Sequence, residues 1–116
     1  MSKQAVSLLT LTVVAAGVIA ANRFVTVVGT QAGADANTLG VARSAAAAAG
    51  DKIPVDVIGT AIVESGAAIA AGATLETDAS GRAVTWATSG PRVGVALEAA
   101  TAAGQFIEVL LLQNAA

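Results

Sequence analysis

The feature that most constrains this chain is a repeat of twenty residues. The segments at 39–58 and 93–112 read LGVARSAAAAAGDKIPVDVI and VGVALEAATAAGQFIEVLLL, and ten positions are identical at a constant offset of 54. A weaker similarity joins RFVTV at 23–27 with RAVTW at 82–86. Because 116 residues make one ordinary domain, two such units must share a core. The repeat therefore predicts a single domain, residues 1–116, built from two similar halves.

The spacing of apolar runs and glycines predicts an all-β fold. Runs rich in β-branched residues recur every 8–15 residues, which is typical of strands joined by short turns. The alanine run at 45–49 ends at Gly50 and is too short to form a helix on its own. We expect a small barrel or tulip-like β domain with few or no helices. The predicted strands are 5–14, 23–29, 39–43, 51–58, 60–64, 73–77, 82–87, 92–98 and 105–112.

The composition favours a protein that binds other proteins. Hydrophobic residues make up 55% of the chain and charged residues 12%, whereas an average protein is about 25% charged. A small domain with so few charges exposes apolar surface, which usually binds sister subunits or a larger assembly. The net charge is −2 and no basic cluster is present, so nucleic-acid binding is not expected.

The chain contains three aromatic residues, which are Phe24, Trp86 and Phe106. Aromatic side chains bury more apolar area than any others, and they are enriched at interfaces. We therefore expect these three residues in the core or at an interface between subunits.

Catalysis, metal binding and cofactor binding are not expected. The chain lacks His, Cys and Tyr, which removes the commonest general base, disulfides and thiolate metal sites. The acidic turns at Asp35 and Asp78 lack the ligand set of a calcium loop, and residues 29–33 lack the Gly-Lys-Ser/Thr of a phosphate loop. We predict a protein that is not an enzyme and that uses no metal and no cofactor.

The uncharged segment at 5–21 allows more than one interpretation. Apolar residues alternate with threonines over 9–13, which is the period of a strand. A signal peptide or a membrane anchor is the alternative, because the segment follows Lys3 and reaches the short limit of a membrane span. We adopt the strand and expect no membrane partner. The alternative function is an exported or surface-anchored β protein.

A second alternative is a carrier domain. Lys52 lies in a repeated β domain close to a predicted turn, and this setting is similar to that of the modified lysine in biotinyl and lipoyl carriers. The turn precedes Lys52, and Ile53 and Pro54 follow it. An analogy of fold alone is weak support for a function, so the carrier remains the lesser alternative.

A series of small-residue motifs runs along the chain in a fixed order. The motifs are Gly40-Val41-Ala42, Gly50-Asp51, Gly59, Ala71-Gly72, Asp78, Gly81, Gly94-Val95-Ala96-Leu97-Glu98-Ala99 and Gly104. Over about residues 8–112, this series resembles the small capsid cement, or decoration, proteins of tailed bacteriophages.

The resemblance implies a noncatalytic protein that binds the outer surface of a phage head across neighbouring major capsid subunits and stabilises the shell. It also implies a homo-oligomer, which we expect to be a trimer, made in the bacterial cytoplasm and carried on the virion. The largely polar segment of Met1, Ser2, Lys3 and Gln4 precedes the first predicted strand. We expect this N-terminal arm to contact the capsid, because chain ends often become ordered only on a partner.

Overall fold

Every regular element of the described chain is a β-strand, which confirms the predicted all-β class. The computed structural model describes residues 5–87 and 90–115, and neither range contains a helix. No helix in these ranges is therefore long and apolar enough to cross a membrane. The strands are β1 (Ser7–Val14), β2 (Phe24–Val25), β3 (Gly40–Ala42), β4 (Lys52–Glu64), β5 (Thr74–Thr77), β6 (Ala83–Thr85), β7 (Arg92–Ala96) and β8 (Phe106–Ala115).

The strands form one antiparallel sheet that curls into a nearly closed barrel. Its order is β2-β3-β4-β8-β7-β5-β6, and β1 pairs with β4 outside this path. Strand β4 joins two strands that the sequence predicts separately, 51–58 and 60–64, because pairing continues on both sides of Gly59. Its first part pairs with β1 and β3, and its last five residues pair with β8.

The same pairing register occurs twice in the sheet. From β1 to β2, residues of the first half correspond to residues 50 positions later, and from residue 29 onward the offset is 54. The equivalent pairs include Ile19–Ala46 and Ile69–Ala100, Val25–Gly40 and Leu75–Gly94, and Thr10–Asp56 and Thr60–Leu110. Strand β4 therefore serves twice, as the last strand of the first half and as the counterpart of β1 in the second.

The change of offset occurs in a hairpin. In the first half the chain turns after β2, and Gly29 accepts a hydrogen bond from the N–H of Ala16; in the second half Ala83 accepts the equivalent bond from Gly66. The second hairpin, β5–β6, is thus four residues longer. The similarity between 23–27 and 82–86 does not follow this register, because β2 corresponds to residues 74–75 of β5.

The two halves have corresponding apolar cores. The first comprises Ala15, Ile19, Val25, Ala42, Ala46, Ile53, Val55 and Val57, with Val13 and Leu39 packed against it. The second contains the equivalents Ile69, Leu75, Ala96, Ala100, Ile107, Val109 and Leu111. It also contains Phe24 and Val41 of the first half, so the first half closes the core of the second.

We predict that Gly59→Ala destabilises the protein more than Gly50→Ala does. Both glycines have positive φ, +112° and +93°, where an alanine costs about 1–2 kcal/mol. A Cβ at Gly59 would collide with the backbone carbonyl oxygen of Val6, whereas nothing lies within 4 Å of one at Gly50. Urea unfolding should show an additional loss of roughly 1–3 kcal/mol for Gly59→Ala. Equal losses for the two variants would contradict the close approach of β1 to β4.

Candidate binding surfaces

Asp78 in a turn and Asp56 in a strand are both used in contacts within the fold. The carboxylate of Asp78 accepts hydrogen bonds from the N–H groups of Ser80 and Arg82 across the β5–β6 turn. Asp56 is buried, and it accepts a bond from Thr10 and forms an ion pair of 2.7 Å with Arg43. Within the described residues, no three acidic side chains are grouped in a way that could hold a metal ion.

Lys52, the residue of the carrier alternative, is the exposed first residue of β4. It is paired with Val14 of β1 and therefore lies in a ladder. The preceding turn is closed by Asp51, whose carboxylate accepts hydrogen bonds from the N–H groups of Ala47 and Ala48. Lys52 is not at the tip of that turn, where a carrier presents its modified lysine.

The most apolar exposed surface surrounds strand β1. We call it the β1 surface, and it consists of Val6, Leu8, Leu9, Leu11, Val14, Val27 and Val28. Leu8 is 76% exposed and Val28 75% exposed. The turn that carries Val27 and Val28 packs beside the end of β1, because the N–H of Ala16 donates to the carbonyl of Gly29.

Strand β1 is also open along one edge. Among the described strands it pairs only with β4. None of its eight residues is buried: six are exposed and two are partly exposed, so both faces are accessible. An apolar edge strand invites pairing with another chain, and proteins normally cover or charge such edges. The β1 surface carries no charged side chain, so it has the properties of a binding site.

The three aromatic residues lie in three different settings. Phe24 is fully buried in the core of the second half. Trp86 is partly exposed; its indole Nε1 donates to the carbonyl of Gly90, and the guanidinium of Arg92 lies 4.1 Å from the ring centroid. Phe106 is 44% exposed at the start of β8. The structure does not bring these residues together.

The predicted arm, Met1–Gln4, lies outside the described residues. Val6, near the start of the described residues, is bound to β4 by two hydrogen bonds: its N–H donates to Oγ1 of Thr60, and its carbonyl accepts from the N–H of Thr60. Val6 therefore lies beside Gly59, at the point where β4 passes from one half to the other.

A partly buried ionic network joins the two halves, and no sequence motif indicates it. The carboxylate of Glu64, at the end of β4, lies 3.1 Å from Arg23 of the first half and 3.8 Å from Arg82 of the β5–β6 hairpin. Arg23 also donates to the carbonyl of Ser80. The N–H of Glu64 donates to the carbonyl of Asn22 at 3.0 Å, so backbone and side chain fix the same junction.

Comparison with known proteins gives a family and a fold. A family model described as phage cement protein matches residues 3–111. Among solved structures, the N base of the head fiber gp8.5 in bacteriophage phi29 is similar, with a TM-score of 0.73 and 20% sequence identity; the match covers 93% of this chain and 97% of that chain. No curated protein matches the sequence.

We predict a measurable coupling between Arg23 and Glu64. Their side chains are 20% and 17% exposed, so water screens the pair only partly, and a double-mutant cycle with alanine should give a coupling of about 1 kcal/mol. Arg43→Ala combined with Glu64→Ala is the control, because Arg43 pairs with Asp56 instead and its effect should add. Additive losses for Arg23 and Glu64 would show that the network does not stabilise the junction.

Proposed function

This chain belongs to the phage cement protein family, and we propose that it decorates the outer surface of a tailed-phage head and stabilises the shell. The observation that carries the proposal is the family match, which extends over residues 3–111. Membership in this family means a structural role associated with the phage head. The proposed partner is the major capsid protein, bound across neighbouring subunits.

The proposed mechanism is mass action. A site made from more than one capsid subunit exists only in the assembled shell, so binding favours assembly over dissociation. At free protein of 100 times the dissociation constant, each occupied site contributes about 2.7 kcal/mol. A homo-oligomer, which we propose is a trimer, contacts several sites at once, and each contact after the first is intramolecular and therefore stronger.

The chemistry of the surface indicates the kind of contact. The chain has six basic and eight acidic residues, and several of these are consumed by internal ion pairs such as Arg43–Asp56 and Arg82–Asp78. Exposed aliphatic side chains therefore supply much of the surface available to a partner. Apolar contacts are not weakened by the screening that salt imposes on exposed charge pairs. No catalytic step is part of the proposal.

The test of shell stabilisation is to remove the protein from native particles and add it back. Bare heads should release DNA at a lower temperature than decorated heads. Re-addition should restore the higher temperature at moderate and high salt alike, because the contact is apolar. The measurement is dye-detected DNA release during heating. If bare and decorated heads fail at the same temperature, the protein does not act as a cement.

Deletion of Met1–Gln4 should weaken binding to heads and leave the fold unchanged. The arm precedes β1 and is the most polar short segment near it, so its loss removes contacts to the shell without removing a strand. Binding is measured by co-sedimentation with stripped heads, and folding by circular dichroism. The matched control replaces the four residues with a Gly/Ser segment of the same length. Undiminished binding by the deletion variant would show that the arm makes no capsid contact.

A further inference from the structure

The contact between the two halves is one-sided. The first half presents Phe24, Ala32 and Val41, which are buried in the core of the second half. The second half receives them with Ala61 and Val63 of β4, which are also buried there. We call Phe24, Ala32 and Val41 the donor face of the first half, and Ala61 and Val63 the acceptor face of the second half; the two terms refer to packing, not to hydrogen bonding. Within one chain, these two faces cover each other.

The equivalent donor face on the second half is uncovered. By the offsets of 50 and 54, Phe24, Ala32 and Val41 correspond to Thr74, Trp86 and Val95. One hydrogen bond verifies the equivalence: the N–H of Ala32 donates to the carbonyl of Phe24 at 2.9 Å, and the N–H of Trp86 donates to the carbonyl of Thr74 at 2.8 Å. All three residues of the first-half face are buried, whereas all three of the second-half face are partly exposed.

The equivalent acceptor face on the first half is also uncovered. Ala61 and Val63 correspond to Leu11 and Val13 of β1, since Thr10–Asp56 and Thr60–Leu110 are equivalent pairs. Leu11 is 39% exposed, whereas Ala61 is 1% exposed. The chain therefore carries two open faces: the donor face of Thr74, Trp86 and Val95 on the second half, and the acceptor face of Leu11 and Val13 on β1.

The residues at the open faces differ in size and charge from their internal counterparts. In the covered donor face, Phe24 is the large residue and Ala32 is the small one. In the open donor face the sizes are exchanged, because Thr74 stands in the place of Phe24 and Trp86 in the place of Ala32. The internal ion pair Arg23–Glu64 corresponds to Ala73 and Val14.

Both members of the ion pair are thus apolar at the open faces, so neither leaves an unpaired charge there. Burying a lone charge costs several kcal/mol, and the matched replacement avoids that cost. The cation near this contact is Arg92, whose guanidinium lies 4.1 Å from the Trp86 ring centroid.

We propose that copies of this chain associate head to tail, the Thr74–Trp86–Val95 face of one copy seated on Leu11 and Val13 of the next. The occupant of this part of the β1 surface is a second copy, held by the contact that the halves already make within one chain. The N–H of Val14 in the next copy is then placed to donate to the carbonyl of Gly72 in the first copy, as the N–H of Glu64 donates to the carbonyl of Asn22 within one chain. The contact joins unlike faces, so it produces a ring when its rotation closes and a filament when it does not.

The proposal rests on the self-association included in the proposed function, and its test uses the purified full chain without capsids. Leu11→Glu disables the acceptor face, and Val95→Glu disables the donor face. Val18→Glu and Phe106→Glu are matched controls, because Val18 is 73% exposed and Phe106 is 44% exposed. Their equivalents, Ala68 and Lys52, lie exposed and outside the contact between the halves. Sedimentation velocity gives the mass, and circular dichroism verifies the fold.

We expect the unmodified chain and both controls to sediment as oligomers, and each face variant as a monomer of 11.2 kDa. A mixture of the two face variants should form a 1:1 dimer and stop there, because each retains one intact face. A monomeric unmodified chain, oligomers of either face variant, or a mixture that stays monomeric would overturn the proposal. Where a glutamate variant does not fold, Leu11→Thr or Val95→Thr replaces it, since threonine suits a strand.

Trp86 provides a second readout, because it is the only tryptophan in the chain. Leu11→Glu lies on the opposite face, yet it should release Trp86 from the neighbouring copy and raise acrylamide quenching several-fold. Val18→Glu should leave the quenching unchanged. Equal quenching in Leu11→Glu and the unmodified chain would contradict this interface. Since no capsid is present, such a failure leaves shell binding to be decided by the add-back experiment.

Discussion

The pairing of β4 with strands of both halves is the constraint on which the fold depends. Its first residues are held between β1 and β3, and its last residues pair with β8. Gly59 lies between these parts with a positive φ and allows the carbonyl of Val6 to approach. Neither half has a complete sheet without this strand. The ion pairs of Glu64 and the insertion of Phe24 into the second core then fix how the halves meet.

The distribution of polarity agrees with a structural role on the phage head. Charged side chains are few, and several are used within the chain, where Arg23, Arg43 and Arg82 each pair with a carboxylate. Many of the exposed aliphatic residues lie on the edge strand β1 or close to it. Soluble monomers rarely expose such an apolar surface, whereas a component of an assembly buries it against its neighbours. The family to which the chain belongs provides that setting.

Much of the fold follows from sequence patterns, and the resemblance to cement proteins is confirmed by the family match. Period-two apolar runs and glycine spacing identify the strands because these patterns are local. In the sequence, the repeat can be recognised only over the segments that are related by one constant offset. The correspondence between β1 and the end of β4 is hidden by the change of offset. Few residue types are identical there: Leu11 is equivalent to Ala61, and Val14 is equivalent to Glu64.

The surroundings of the aromatic residues could not be derived from residue type either. Phe24 occupies a position that the second half buries, whereas Phe106 occupies the position of exposed Lys52. Burial is therefore decided by register and by the packing of the halves, which are non-local. The ionic junction of Arg23, Glu64 and Arg82 also joins distant segments, and no spacing rule predicts it.

The unequal hairpins have a consequence for the tolerance of the fold to change. The same position holds a short turn at Val27–Val28 in one half and the longer β5–β6 turn in the other, yet the ladders on either side keep an equivalent register. The length of this turn can therefore change without changing the pairing of the strands on either side. Ala79 is exposed at the tip of the longer turn, and exposed tips are the sites where insertions are best tolerated. A foreign peptide placed there would be displayed at the surface while the barrel beneath it kept its pairing.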